Sequence, residues 1–271
     1  MPRSARHDTL KEKTMNRISA VAFNTFREAV RDRVLYNLIF FALLLVGAAL
    51  LFGQISIGIQ RIVLINLGLS AISVFGVVIA IFIGIGLVSK EMEKKTLYTI
   101  LSRPVRRWEF IVGKFGGLAW TLVVNTLCMA IGFFAALLLL ARHFERADGW
   151  LVVAIYFIIL EFVVVTALAL LFSTFSSPVL SAVMALALFV IGTFAEDLRA
   201  FAAMSHGATW ALATLAAYVV PNFASLNVIS SVAHGQPIAA SLILYNTVYS
   251  LFYAAAALCG AILVFEYRNL K

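Results

Sequence analysis

The sequence predicts an all-α membrane protein: six transmembrane helices, an N-terminal amphipathic interfacial helix, and an outer re-entrant or interfacial helical segment between spans five and six. Three observations predict it. Of 271 residues, 63% are hydrophobic and only 13% charged, and the mean hydropathy is +1.00, well beyond a soluble domain. The apolar residues gather into runs long enough to cross a bilayer, which takes roughly 20 residues at 1.5 Å each. The charges sit almost entirely at the ends of those runs.

The runs fall at about 34–53, 62–88, 111–140, 150–172, 178–195 and 240–265. Six spans put both termini on one side. All Lys and Arg then lie on that side except Arg61, Arg142, Arg146 and Arg199, out of 21 in the chain. By the positive-inside rule that side is the cytoplasm. The domain division follows: 1–33 as a cytoplasmic N-terminal segment and 34–271 as the six-span domain, with a cytoplasmic junction at 89–110 and an outer segment at 196–239. The first run exceeds a signal-peptide core and has no evident cleavage site, so it is expected to stay in the protein. The localisation expected is the inner membrane, multi-pass, with both ends inside.

Ahead of the first span, residues 16–33 place Ile18, Val21, Ala22, Phe26, Ala29 and Val30 on one helical face, with Arg17, Asn24, Arg27, Glu28 and Arg31 around the rest. That pattern suits a helix lying along the inner leaflet with its cations near anionic headgroups. Span five opens with Ser176, Ser177 and Pro178, a serine cap with proline in the first turn. Spans four and five therefore form a tight hairpin. The apolar patch at 208–220 is too short to span and ends at Pro221, so it reads as interfacial or re-entrant. In span six, Ala256 with Gly260 and Ala257 with Ala261 form small-residue pairs four apart, and Gly113, Gly116 and Gly117 form a similar small-residue group near the start of span three. Such pairs permit close helix approach.

The net charge of +8 does not point to nucleic acid, because the cations mark helix ends and form no face. No phosphate-binding Gly-rich loop, metalloprotease motif or nucleophile elbow occurs, so the chain has no evident means of catalysing a reaction itself. Cys128 and Cys259 sit inside apolar runs as small hydrophobes. Met204, His206 and His234 in the outer region supply soft donors but no ligand cluster, and no metal site is assigned.

Two groups of residues stand out. Glu161 is the one acid well inside a span, where burying a carboxylate is costly. It lines a pathway or holds helices together, with Asn66 or Asn125 as candidate partners. The second group is the junction. Glu91 and Glu93 close span two, Leu97, Ile100 and Leu101 share one side of a short helical turn beside Lys94 and Lys95, Pro104 breaks it, and Arg106 and Arg107 lead into span three. A short apolar face amid charges suits docking to a soluble partner, though an ordinary positive-inside turn has the same ingredients.

The order Glu91, Glu93, Thr96, Leu97, Leu101, Ser102, Arg103, Pro104, Arg107, Phe110, Gly113, Lys114 resembles the signature junction of ABC-2 type transporter permeases, closest to the subgroup of multi-copper-enzyme maturation systems. Lys95 departs from it, where many members have Gly. The resemblance extends through most of the chain. It implies an exporter-type permease, paired with a second permease copy (homodimer or heterodimer) and driven by separate ABC ATPase subunits. ATP and Mg would sit on that partner and no cofactor on this chain. It also implies that Glu91, Glu93, Lys94, Thr96, Leu97, Leu101, Arg103, Pro104, Arg106 and Arg107 contact the ATPase. The alternatives are a membrane anchor that transmits force without passing solute, and a secondary transporter. The latter usually shows broken mid-membrane helices or inverted repeats.

Overall fold

In a computed structural model the described residues are 17–29, 60–93, 107–141 and 148–267, with isolated positions 15, 39, 40, 43, 47 and 51. All regular structure among them is helical. Residues 17–29 form α1. It is followed by α2 (Gln60–Glu93), α3 (Arg107–Ala141), α4 (Gly149–Phe175), α5 (Pro178–Thr193), α6 (Ala195–Met204), α7 (Gly207–Val219), α8 (Ile229–Ala233) and α9 (Ala240–Tyr267). A short 3-10 turn, Ala224–Leu226, precedes α8. The first predicted span, 34–53, lies mostly outside the described residues.

Among the described residues four helices are long and apolar enough to cross a membrane: Arg61–Gly86, Trp108–Leu138, Gly149–Phe175 and Ala240–Tyr267. They coincide with predicted runs two, three, four and six. Predicted span five is different. Helix α5 has 16 residues, about 24 Å at 1.5 Å per residue, short of a hydrocarbon core of about 30 Å. It bends by 64° into α6, and only the pair together has the length and composition of a span. Sequence reading left α6 within a connection, because Glu196, Asp197 and Arg199 interrupt its apolar pattern.

Helices α2 and α4 run parallel and in register at the centre of the molecule. Three contacts set the register: the Arg61–Asp148 ion pair at one end, Ser73 against Glu161, and Gly84 against Ala169. Gly76 is required between them, since the Phe162 ring occupies the space a Cβ would need. Helix α3 runs the opposite way beside α2, with Phe133 laid over Gly68. Helix α9 covers α4 through Ala254, Ala257 and Ala261, all buried. The Ala257/Ala261 pair is thus consumed inside the chain, whereas Gly260 is half-buried, and a Cβ there would meet Leu171 at 3.4 Å.

Between α7 and α9 the chain makes an excursion into the bundle. The Val219 carbonyl accepts a hydrogen bond from the Tyr253 hydroxyl (2.8 Å). The Asn222 amide donates to the Tyr249 hydroxyl (2.9 Å), and Asn246 Nδ2 donates to the Ser225 carbonyl (2.7 Å). Each three-residue step along 219–225 moves one turn up α9 towards its start. Tyr253 lies about 20 Å along α9, so the segment dips nearly half the depth of that helix before returning. The Phe223 amide bonds the Gly192 carbonyl (3.0 Å) at the end of α5. Backbone groups around Pro221 are thereby satisfied inside protein. The predicted 208–220 helix is α7; it bends by 43° into the segment Ala224–Ala233, and the two together have the length and composition of a broken span or a re-entrant loop.

The Ser177–Pro178 helix start is present, with proline in the first turn and Ser177 extended. The Ser177 hydroxyl makes no capping bond. Its backbone carbonyl instead accepts from the Ser181 amide (2.8 Å).

Candidate functional site

At the end of the molecule where α2 finishes and α3 begins, three elements converge. Helix α1 lies across the first turns of α3 at the two glycines four apart. A Cβ on Gly113 would fall 2.7 Å from Val21 Cβ and 3.2 Å from the Ile18 carbonyl oxygen. One on Gly117 would strike the Ala22 carbonyl and sit 2.6 Å from Thr25 Cβ. The approach is backbone to backbone, possible only because both residues lack side chains. Thr25 and Ala29 become fully buried. Val21 and Ala22, from the predicted apolar stripe, face α3, so this stripe is spent on protein and Phe23 is left exposed on the opposite side.

Charge locks the same contact. Glu109 is 1% exposed and lies 3.8 Å from the Arg17 guanidinium. Lys114, also 1% exposed, is 3.7 Å from Glu28 and 5.7 Å over the Phe110 ring. Burying one member of an ion pair is tolerable only with its partner in place. These cross-links therefore fix α1 along the start of α3. On the far side, Phe110 stacks on Phe265 at 6.1 Å, and Phe110, Ile111, Ala261 and Phe265 form a small core of their own. The last turns of α9 thus join α1 and α3 in one block.

Of the predicted partner-binding residues, three fall on described helix ends. Glu91 and Glu93 fall in the final turn of α2, and Arg107 opens α3. Lys94, Thr96, Leu97, Leu101, Arg103, Pro104 and Arg106 lie outside the described residues. What the structure adds is the footing: residues 94–106 connect two long helices, one anchored in the central pair and one clamped to α1 and α9. The glycines at 113, 116 and 117 stand out in the sequence, but neither what packs on them nor that only Gly113 and Gly117 are in close contact is legible there. The pairing of Arg17 with Glu109 and of Lys114 with Glu28 joins distant segments and has no local signature.

Glu161 is 8% exposed and lies about 18 Å along α4, near its middle. Its partner is neither of the expected amides. The Ser73 hydroxyl on α2 reaches both carboxyl oxygens, at 3.2 and 3.3 Å. Asn66 Nδ2 donates to the Ile62 carbonyl of its own helix (3.0 Å), and Asn125 Nδ2 to the Met129 sulfur (3.6 Å). The parallel α2–α4 register decides this, because it brings residue 73 level with 161 and leaves Asn66 almost two turns away. The carboxyl acts as a clasp between the two central helices. Among the described residues no cluster of His, Cys, Asp and Glu could hold a metal ion.

Residues 19–267 match the family model of ABC-2 family transporter proteins. The chain belongs to the ABC-2 transporter family. The match covers nearly the whole chain, from α1 through α9, so the helix clamped to α3 is part of the family domain. The protein is a multi-pass membrane protein of the transport permease type. No relative among curated proteins matches the sequence.

Proposed function

We propose that this ABC-2 protein is the permease subunit of an ATP-driven exporter in the inner membrane. It works with a second permease copy and with separate ABC ATPase subunits. ATP and Mg are held by the ATPase; this chain contributes the path and the moving helices. The junction end faces the cytoplasm, as the distribution of Lys and Arg favours.

The observation that supports this reading best is the α1–α3–α9 block at the start of α3, the helix that follows residues 94–106 in the chain. A docking loop that transmits force needs rigid footings, and packed interfaces shift between discrete arrangements without stretching. Closure of the ATPase subunits presses on Thr96, Leu97 and Leu101, with Lys94, Arg103, Arg106 and Arg107 meeting acidic partner groups and Glu91 and Glu93 basic ones. Pro104 keeps the turn from continuing as helix. Displacement of α3 carries α1 with it, and displacement of α2 carries α4 through Ser73–Glu161 and the Gly76–Phe162 contact.

Co-purification tests the partnership. The doubly substituted Glu91→Ala, Glu93→Ala protein should retain several-fold less of its ABC ATPase than the unsubstituted protein while keeping its own yield. Undiminished retention would remove these two carboxylates from the contact.

A further inference from the structure

Away from the junction, the α6–α7 hairpin stands beside the first turns of α9 and leaves a cleft of about 420 Å³ between them. Its walls include Arg199 and Ala202 of α6, Trp210, Thr214 and Tyr218 of α7, and Tyr245 of α9. That size is within the roughly 300–1,000 Å³ of small-molecule sites. The lining is divided in character: a guanidinium, a hydroxyl and two phenols on one hand, ring faces and alanine methyls on the other. Trp210, Tyr218 and Tyr245 are all exposed. Tyr245 lies only about 8 Å along α9 from Ala240, the depth at which Trp and Tyr meet lipid headgroups.

Arg199 decides what such a cleft would take. Among the described residues it makes no ion pair or hydrogen bond, whereas Arg61, at the same end of the molecule, is paired with Asp148. The acids of its own helix, Glu196 and Asp197, do not line the cleft. An aromatic cage by itself would favour a quaternary ammonium group. With a guanidinium in the wall the cleft repels that cation and instead offers a planar, multidentate donor to a phosphate oxygen. The aromatic faces and Ala202 are left to cover an acyl chain.

We propose that this cleft binds an anionic phospholipid from the leaflet on the Arg61–Asp148 side, with its phosphodiester on Arg199 and one acyl chain along Trp210 and Tyr218. The site is separate from the junction and holds whether or not an ATPase drives the protein.

Trp210 is a reporter already in place. In full-length protein with Trp108, Trp120 and Trp150 replaced by Phe, reconstituted in vesicles, Trp210 fluorescence is titrated with brominated phosphatidylglycerol or brominated phosphatidylcholine. Quenching should show about fivefold tighter association of the anionic lipid, the scale of one Arg near an anionic surface. Arg199→Gln should bring the ratio to about one, and Arg199→Lys should keep part of it. Millimolar inorganic phosphate should leave the quenching unchanged. Equal quenching by the two lipids in the unsubstituted cleft would overturn the proposal without reference to any variant. So would a preference that survives Arg199→Gln, or displacement by phosphate alone, which would mark a site for soluble anions.

Discussion

Replacing Gly117 by alanine should release α1 from α3 while leaving the bundle intact. The added methyl would strike the Ala22 carbonyl and sit 2.6 Å from Thr25 Cβ. The first neighbour is backbone, so no rotamer change can relieve it; α1 itself has to move by the better part of an ångström. Overpacking of this kind costs about 1–3 kcal/mol, a roughly 5- to 150-fold fall in the docked population. The same substitution favours α3 as a helix by roughly 0.5–1 kcal/mol, so overall thermal stability should change little. Gly116 supplies the control: it is exposed, and among the described residues a methyl there meets nothing nearer than Ala22 Cβ at 3.9 Å. Hydrogen exchange of the amides in 17–29, with the protein in nanodiscs, reads the docking directly. Gly117→Ala should exchange at least fivefold faster across that segment, and Gly116→Ala should match the unsubstituted protein. Equal protection in all three proteins, or equal loss in both variants, would refute the backbone-contact argument.

Other expectations concern the interior. Ser73→Ala leaves the Glu161 carboxyl without the hydroxyl it faces and should cost about 1–3 kcal/mol; Glu161→Leu added to it should recover most of the loss in a thermal melt. Tyr249→Phe removes the acceptor for the Asn222 amide and should speed exchange in 219–228 while leaving α4 protected. Gly76→Ala places a methyl inside the Phe162 ring and should lower the melting temperature or abolish folding. Gly86→Ala, with nothing within 4 Å among the described residues, should be silent in the same assay.

The long spans were legible because length and apolarity alone define them: 62–88, 111–140, 150–172 and 240–265 lie within or close to the helices observed. The face each helix turns inward was not. Helix α4 is apolar on every side, so nothing in its sequence says that Glu161 looks at α2. Only the parallel register, fixed partly by Arg61 and Asp148, selects Ser73 over the more conspicuous Asn66 and Asn125. The α5–α6 break was hidden for a related reason. The charges of Glu196, Asp197 and Arg199 mark the end of a hydrophobic run, and a run that ends looks the same whether the helix stops or turns by 64°. The ladder of Asn246, Tyr249 and Tyr253 could have been suspected from polar groups three and four apart on one helix, but its backbone partners could not. For the junction, residue chemistry suggested a docking turn, and the structure contributes the clamp on the helix that follows it in the chain.

The central claim is that a soluble ATPase grips residues 94–106 from the cytoplasm. A photo-crosslinking amino acid introduced at Leu97 in living cells tests it most directly. The account predicts a single major adduct with an ABC ATPase, stronger when ATP hydrolysis is blocked. An unmodified chain, together with labelling of position 97 by a membrane-impermeant reagent from outside the cell, would contradict it.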